Sequence, residues 1–274
     1  MNGKRIVIKI GGSTLGQHDT TMEDLVWLQQ RGYEPIVVHG GGKTITEWLD
    51  RQGVESRFVN GLRITDEAGI DVVVAVLAGL VNKRLVAGIN ARGGRAVGIS
   101  GADGPVLRAA IKDPDLGLVG EPVGIDPDVI EALIAVGYIP VVSPIAALVD
   151  ESKVTCTLLN VNADTAAADI GGGVQADQFI FLTDVPGVCD DGGRVLSRLT
   201  ETGVKELIGA GTISGGMIPK VEACLRALKA VPSALILDGR ERHALRACIE
   251  GQDADALHES AQPDPARPAG TRIG

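Results

Sequence analysis

Two lysines stand where a charge needs a reason. Lys9 interrupts the apolar run 5–10, Arg-Ile-Val-Ile-Lys-Ile, which ends on Gly11 and Gly12. Such β-branched density predicts a strand buried on both faces, where a lone ammonium is heavily penalised unless an anion meets it. The glycines beyond it offer backbone N–H groups. The stretch therefore reads either as one side of a phosphate cradle or as a lysine whose stem snorkels to the sheet edge before a routine turn, and by itself it leaves both open. Lys220 closes the segment Gly215-Gly216-Met217-Ile218-Pro219-Lys220. Pro219 suits a first helical turn, which puts Lys220 at the positive end of a helix dipole, a position that disfavours a cation by about 0.3–1 kcal/mol. That placement points to a local anion; an ammonium held out in solvent is the alternative.

Three further groups could join them. Gly40-Gly41-Gly42-Lys43-Thr44 invites a P-loop reading, but Val37 stands where that motif requires its first glycine. What survives is a strand, a triple-glycine turn and a helix start, which favours an anion site because three glycines are costly in a purely structural turn. Asn160-Val161-Asn162-Ala163-Asp164 reads as a helix start, with Asn162 as cap and Asp164 in the first turn. If helical geometry reached back to Asn160, Asn160 and Asp164 would share a face and point an amide and a carboxylate at one ligand. Arg63 lies in a turn just ahead of a helix cap at Asp66 and could clamp a carboxylate or pair with Glu67; local sequence leaves both open. Gly209-x-Gly211 misses a dinucleotide fingerprint, because Ser214 replaces the third glycine and a helix precedes it, which speaks against a nicotinamide cofactor.

The elements that must position these residues follow a βαβ rhythm. Apolar strand-like runs at 5–10, 35–38, 96–99, 139–142, 179–182 and 234–237 alternate with helical stretches such as 22–31 and 43–52. Each run ends in small or polar residues: Gly11-Gly12, His39 to Gly42, Ser100-Gly101, Ser143-Pro144, Thr183-Asp184 and Asp238-Gly239. In a mainly parallel sheet those turns would gather along one rim, where ligands bind. Residues 66–92 predict one long helix and residues 109–125 a hairpin flap. A lobe boundary is expected between Pro144 and Val161, dividing the chain into residues 1–150 and 151–274. Residues 251–270, rich in Asp, Ala, Pro and Gln, predict a loose linker ahead of Gly270-Thr271-Arg272-Ile273.

Composition narrows the classes. With 274 residues, 45% of them hydrophobic, the chain can bury a large core, and 3% aromatics beside 37 glycines means a core of Val, Ile, Leu and Ala. A net charge of −9 argues against a nucleic-acid partner. Cys156, Cys189, Cys224 and Cys248 are widely spaced without zinc-site spacing, and are expected to be reduced core residues. Without an apolar leader or an uninterrupted run of about 18 apolar residues, the expectation is a cytoplasmic protein with no membrane partner.

Lys9 to Gly12, His39 to Gly42, Gly61 to Asp66, Asn160 to Asp164, Leu182 to Gly187 and Gly215 to Lys220 occur in one order, and together they resemble the amino-acid kinase family. Within that family the chain is most similar to the branch that phosphorylates N-acetylglutamate in arginine biosynthesis. The resemblance runs from Arg5 to about Ile249. It implies a three-layer αβα sandwich around a mainly parallel, open central sheet, with the acyl-amino acid in the N-terminal lobe and ATP, carrying Mg²⁺, in the C-terminal lobe. It also implies roles. Lys9 and Lys220 would flank the transferred phosphoryl group, Gly11, Gly12, Gly41 and Gly42 would supply N–H donors, and Asp164 would hold the two lysines. Arg63 and Asn160 would bind the α-carboxylate end of the substrate. Asp184, Val185, Gly187 and Cys189, with Thr212, Ile213 and Ser214, would line the nucleotide site. No protein metal ligand is expected.

The physics agrees, since a carboxylate nucleophile is already ionised and phosphoryl transfer to it needs alignment and charge neutralisation rather than a general base. Two features depart from the family pattern: residues 251–270 are longer than its usual ending, and no N-terminal helical arm precedes the first strand. The second makes an uninhibited homodimer the expectation. The rivals are a kinase of carrier-linked aminoadipate in lysine biosynthesis, and a non-catalytic regulatory protein of the same fold. Arg63 argues against the first, because it suits a free α-carboxylate; the pair of lysines with Asp164 argues against the second.

Overall fold

A computed structural model of the chain describes residues 3–11, 20–149, 152, 156–257 and 270–274, with backbone alone for 253–257. In chain order the elements are β1 (Arg5–Ile10), α1 (Thr21–Gln30), β2 (Glu34–His39), α2 (Gly42–Arg51), β3 (Phe58–Val59), β4 (Leu62–Arg63) and α3 (Glu67–Val74). A π-helical stretch, Ala75–Val81, joins α3 to α4 (Asn82–Ala91). Then come β5 (Ala96–Ser100), β6 (Leu107–Ile111), β7 (Val119–Ile125), α5 (Asp128–Ala135), β8 (Ile139–Ser143), β9 (Ile145–Leu148) and β10 (Leu158–Val161). The chain closes with α6 (Ala163–Gly173), β11 (Gln178–Thr183), β12 (Arg198–Leu199), α7 (Glu201–Gly209), α8 (Met217–Ala227), β13 (Ala234–Asp238), α9 (Ala244–Leu257) and β14 (Thr271–Ile273).

The central sheet has eight strands in the order β12-β14-β13-β11-β1-β2-β8-β5. From β13 to β5 every pairing is parallel, whereas β14 runs antiparallel to β13 and β12 runs parallel to β14. Side-chain alternation sorts its residues into two cores. Ile6, Ile8 and Ile10 of β1 join Val37, Ile180 and Leu182 against α1, α3, α4 and α9. Val7, Ile36, Val38, Phe179 and Phe181 face the other way, against α5, α6 and α8. Lys9 shares that second face, in register with Phe181. Helices on both faces of a mainly parallel sheet make the three-layer αβα sandwich that the sequence implies. Because the six parallel strands end on one edge, their glycine and polar turns do lie along one rim.

Several expectations change. The long helix spans Glu67–Ala91 and is long and apolar enough to cross a bilayer, but Val72, Val73, Val76, Leu77, Leu85 and Ile89 are packed into the core. The stretch 109–125 forms the expected hairpin, but as part of a barrel and not as a flap. β6 and β7 pair antiparallel and close with β9 and β10 into a four-stranded barrel around Leu107, Ala109, Ala146, Leu159 and Val161. Residues 251–257, expected in the linker, continue α9; the rest of that segment up to residue 269 lies outside the described residues. Thr271–Ile273 inserts between β12 and β13, an addition that a three-residue strand is too short to announce in sequence. The cysteines are free, and Cys156 is exposed rather than in the core, while Cys224 is fully buried and burial pushes its thiol far up.

Candidate active site

Lys9 is 7% exposed, so its charge must be met inside the protein. Asp164 meets it, with Nζ–Oδ1 at 2.7 Å. The carboxylate arrives at that point because Asn162 caps α6: its Oδ1 accepts from the N–H of Asp164 at 2.9 Å and of Thr165 at 3.1 Å, fixing the first turn over β1. Lys220 enters from α8, which packs on the same face of the sheet. The Lys9 and Lys220 ammoniums lie 4.4 and 5.8 Å from the centroid of one ring, Phe181. Lys220 Nζ donates to Gly216 O at 3.1 Å, within its own helix start. The two anomalous lysines, 211 positions apart in sequence, thus converge on one spot, with Asp164 tied to the first.

A cavity of about 180 Å³ opens beside Asp164, bounded by Gly40, Gly41, Gly42, Leu62, Arg63, Leu77, Asn160 and Asn162 among others. Arg63 is 8% exposed and donates to Ser56 Oγ at 2.7 Å, Gly42 O at 3.0 Å and Thr46 Oγ1 at 2.8 Å. All three acceptors are neutral. Among the described residues no carboxylate lies within ion-pair distance of it, so the alternative of a pair with Glu67 does not hold. Burial pulls the guanidinium below its ordinary value, and the more distant Asp50 offsets this only in part. The guanidinium thus stands at the wall of the cavity with neutral hydrogen-bond partners alone.

Asn160 sits on β10 and not on the helix, so it does not share a helical face with Asp164. The strand-to-helix junction at Val161 and Asn162 brings both to the same cavity instead. Asn160 Nδ2 donates to Thr65 Oγ1 at 3.1 Å. Gly41 and Gly42 line the cavity at the start of α2, where helix N–H groups lack intrahelical acceptors. Gly41 is needed for close approach: a Cβ there would stand 2.7 Å from Leu77 Cδ2. Gly11 differs from expectation, because its N–H donates to Leu182 O at 3.3 Å and is already engaged in the sheet. Gly12 lies outside the described residues.

The expected nucleotide residues follow β11 and precede α8. Asp184 and Val185 are half-buried at the rim beyond β11. Gly187 adopts φ 144°, and a Cβ on it would meet Thr271 Oγ1 at 2.7 Å, so it lets the loop lie against β14. Cys189 pairs with Val195 in a short antiparallel bridge. Ile213 is 2% exposed and anchors its loop in the core, leaving Thr212 and Ser214 nearer the surface. A pocket of about 220 Å³ lies at this end of the sheet, bounded by Pro186, Val195, Leu237, Asp238, Glu241 and Ala244. Sequence reasoning flagged Asp238 as a rim turn without placing it in a pocket.

It also missed the residues that hold the others in place. Thr46 and Ser56 orient Arg63, Thr65 orients Asn160, and Phe181 carries both lysines. His39 is fully buried: its Nδ1 donates to Gly40 O at 2.9 Å and its Nε2 accepts from Asn82 Nδ2 at 3.2 Å. Burial keeps that imidazole neutral, with its pKa lowered to about 4. Asn82 also donates to Val141 O at 2.8 Å, so His39 fastens the glycine turn to the long helix and to β8. A polar Asn in an apolar helix was the available signal.

Residues 4–238 match the amino acid kinase family. The chain belongs to that family. Curated relatives include acetylglutamate kinase of Cereibacter sphaeroides, 46% identical over 266 residues (95% of this chain, 89% of the relative), and acetylglutamate kinase of Dehalococcoides mccartyi, 42% identical (90% and 91%). Among solved structures, smu.665 from Streptococcus mutans is 31% identical, with a TM-score of 0.77 over 85% of this chain and 94% of that one. Carbamate kinase from Giardia lamblia bound to AMP-PNP, 16% identical, shares the fold with a TM-score of 0.69 over 99% and 98% of the two chains.

Proposed function

We propose that the protein transfers the γ-phosphoryl group of ATP to the side-chain carboxylate of N-acetyl-L-glutamate, giving N-acetyl-L-glutamyl 5-phosphate for arginine biosynthesis. The observation that carries this reading is a cavity lined by both Arg63 and Asp164, the second being the carboxylate bound to Lys9. Arg63, buried among neutral acceptors, receives the α-carboxylate, with Asn160 beside it. Asp164 holds Lys9 within reach of Phe181 and Lys220, where negative charge would spread over the phosphoryl oxygens. The names of the relatives above support the same substrate.

In the reaction a carboxylate oxygen attacks the γ-phosphorus and the bond to the β–γ bridging oxygen breaks, releasing ADP. The nucleophile is ionised at neutral pH, so no residue need accept a proton. Lys9 and Lys220 stabilise the transferring group from the two sides, and the N–H groups of Gly41 and Gly42 bind its oxygens. Among the described residues no cluster of three His, Cys, Asp or Glu side chains could hold an ion. Magnesium would come with the nucleotide phosphates and would neutralise their charge there. Asp184, Val185, Gly187, Cys189, Thr212 and Ser214, with Ile213 as a buried anchor, would line the nucleotide site, and the pocket bounded by Pro186, Val195, Asp238 and Glu241 borders it at Gly187.

In this reading residues 1–150 form the acyl-amino-acid lobe and residues 151–274 the nucleotide lobe, with β10 completing the barrel of the first. The enzyme works in the cytoplasm as a homodimer. Incubation with MgATP, N-acetylglutamate and hydroxylamine tests the function, since hydroxylamine converts an acyl phosphate to a hydroxamate. Hydroxamate should form with N-acetylglutamate above other acids in a panel. Turnover confined to another acid would refute the substrate, and none with any acid would refute the kinase reading.

A further inference from the structure

Lys9 is fixed by the strand that carries it, but Lys220 rides on α8, and its hydrogen bond is to Gly216 of its own first turn. The separation of the two ammoniums therefore depends on how α8 sits against α6 and the sheet. A groove of about 740 Å³ opens between α7, α8 and the β6–β7 hairpin, and it reaches Asp164.

One side chain crosses that gap. Arg226 lies on α8 six residues beyond Lys220, about 9 Å along the helix. Its Nε and Nη2 donate to the two carboxylate oxygens of Asp169 at 2.5 and 2.6 Å. Asp169 lies on α6, five residues beyond Asp164. The remaining guanidinium nitrogen, Nη1, donates to Glu121 Oε1 on β7 at 2.7 Å, and Glu121 Oε2 accepts from Lys112, just past β6, at 2.5 Å. The Arg226 side chain is one-third exposed, 33%, and the pair with Asp169 is two-pronged, unlike the single long contacts that make most surface ion pairs worthless. β7 in turn pairs with β10, opposite Asn160. One guanidinium thus ties together the carriers of Lys220, of Asp164 with its Lys9, and of Asn160.

We propose that Arg226 is a positioning residue for phosphoryl transfer: by locking α8 to α6 and to β7 it sets the distance between Lys220 and the Lys9–Asp164 pair. This rests on the phosphoryl-transfer reading above. Loss of the lock lets α8 drift toward the open groove. The ammonium of Lys220 then moves relative to the transferring group, while Arg63 stays in place.

The test uses the full chain with Arg226→Met, Arg226→Lys, Asp169→Asn and the double variant Arg226→Met/Asp169→Asn. Steady-state hydroxamate kinetics, thermal midpoints and amide hydrogen exchange are read for each. Arg226→Met and Asp169→Asn should each lower kcat about 10- to 100-fold, the effect of roughly 1 Å of misplacement, with KM for both substrates changed far less. Arg226→Lys, which keeps the charge but not the fork, should fall between. The double variant should be no worse than the poorer single, because both remove one interaction. Amides of residues 217–223 should exchange about tenfold faster in Arg226→Met. A falling midpoint with kcat unchanged, fully additive losses of kcat, or unaltered exchange at the start of α8 would each overturn the proposal. Should Arg226→Met not fold, Asp169→Asn and Arg226→Lys carry the same comparisons. A wild-type chain that forms no hydroxamate would sink the kinase reading alone, and the exchange measurement would still decide whether Arg226 locks α8.

Discussion

Replacing Gly41 by alanine would test how tightly the glycine turn is seated. Gly41 has φ 172°, outside the left-handed region that favours glycine. The obstacle is the wall behind it. A Cβ would stand 2.7 Å from Leu77 Cδ2 and 3.3 Å from Val81 Cγ2, both on the π-helical stretch. Carbon atoms sit comfortably at about 3.5–4.0 Å, so the turn or Leu77 must move by roughly 1 Å. Leu77 is 2% exposed and borders the substrate cavity, so its easiest escape is into that cavity. Overpacking of this kind costs about 1–3 kcal/mol, which lowers the midpoint by a few degrees. A shift of about 1 Å at the N–H groups proposed to bind the phosphoryl oxygens would cost about 100-fold in rate. Gly41→Ala should therefore remain folded by thermal denaturation and lose about two orders of magnitude in kcat/KM. Adding Leu77→Val, which deletes the offending δ-carbon, should restore part of it. A Gly41→Ala enzyme within about threefold of wild type would refute both the seating of the turn and its role in binding phosphate.

Arg63→Met should raise KM for N-acetylglutamate by about 10- to 100-fold, the value of one or two charge-assisted hydrogen bonds, and leave KM for ATP nearly unchanged; initial-rate kinetics with each substrate varied separates these. His39 predicts a pH dependence of stability. The unfolded imidazole takes up a proton below about 6.5, whereas the native one resists until about 4. The unfolded state thus binds more protons in this interval, so stability is full above about pH 6.5 and declines as pH falls toward 4, by about 3 kcal/mol in all. Urea midpoints across that range should show the slope in wild type, and His39→Gln should flatten it.

The sheet was legible because its strands are buried on both faces and read as continuous apolar runs: β1, β2, β8, β11 and β13 were all visible within a residue or two. The lysines stood out for the same reason, as charges in places that punish charge. The barrel was harder to read. β9 and β10 are four residues each, with apolar positions shared among Ala, Leu and Val, and nothing local says that they close with β6 and β7. That blind spot also hid the true position of Asn160, which needed β10 to end just before Asn162 caps α6. Gly11 looked like a free donor because sequence shows a glycine after a strand and not the Leu182 carbonyl beside it. Long-range polar contacts such as His39 with Asn82, or Arg226 with Asp169 and Glu121, join elements whose adjacency exists only once the sheet order is known.

In the proposed reaction Lys9 and Lys220 act on the transferring phosphoryl group rather than merely hold ATP. Turnover of Lys9→Ala and Lys220→Ala, measured beside the dissociation constant for MgATP by calorimetry, tests it directly. In both variants kcat should fall by orders of magnitude while ATP binding weakens far less. Variants that keep the wild-type kcat at saturating ATP and change only the dissociation constant would contradict it.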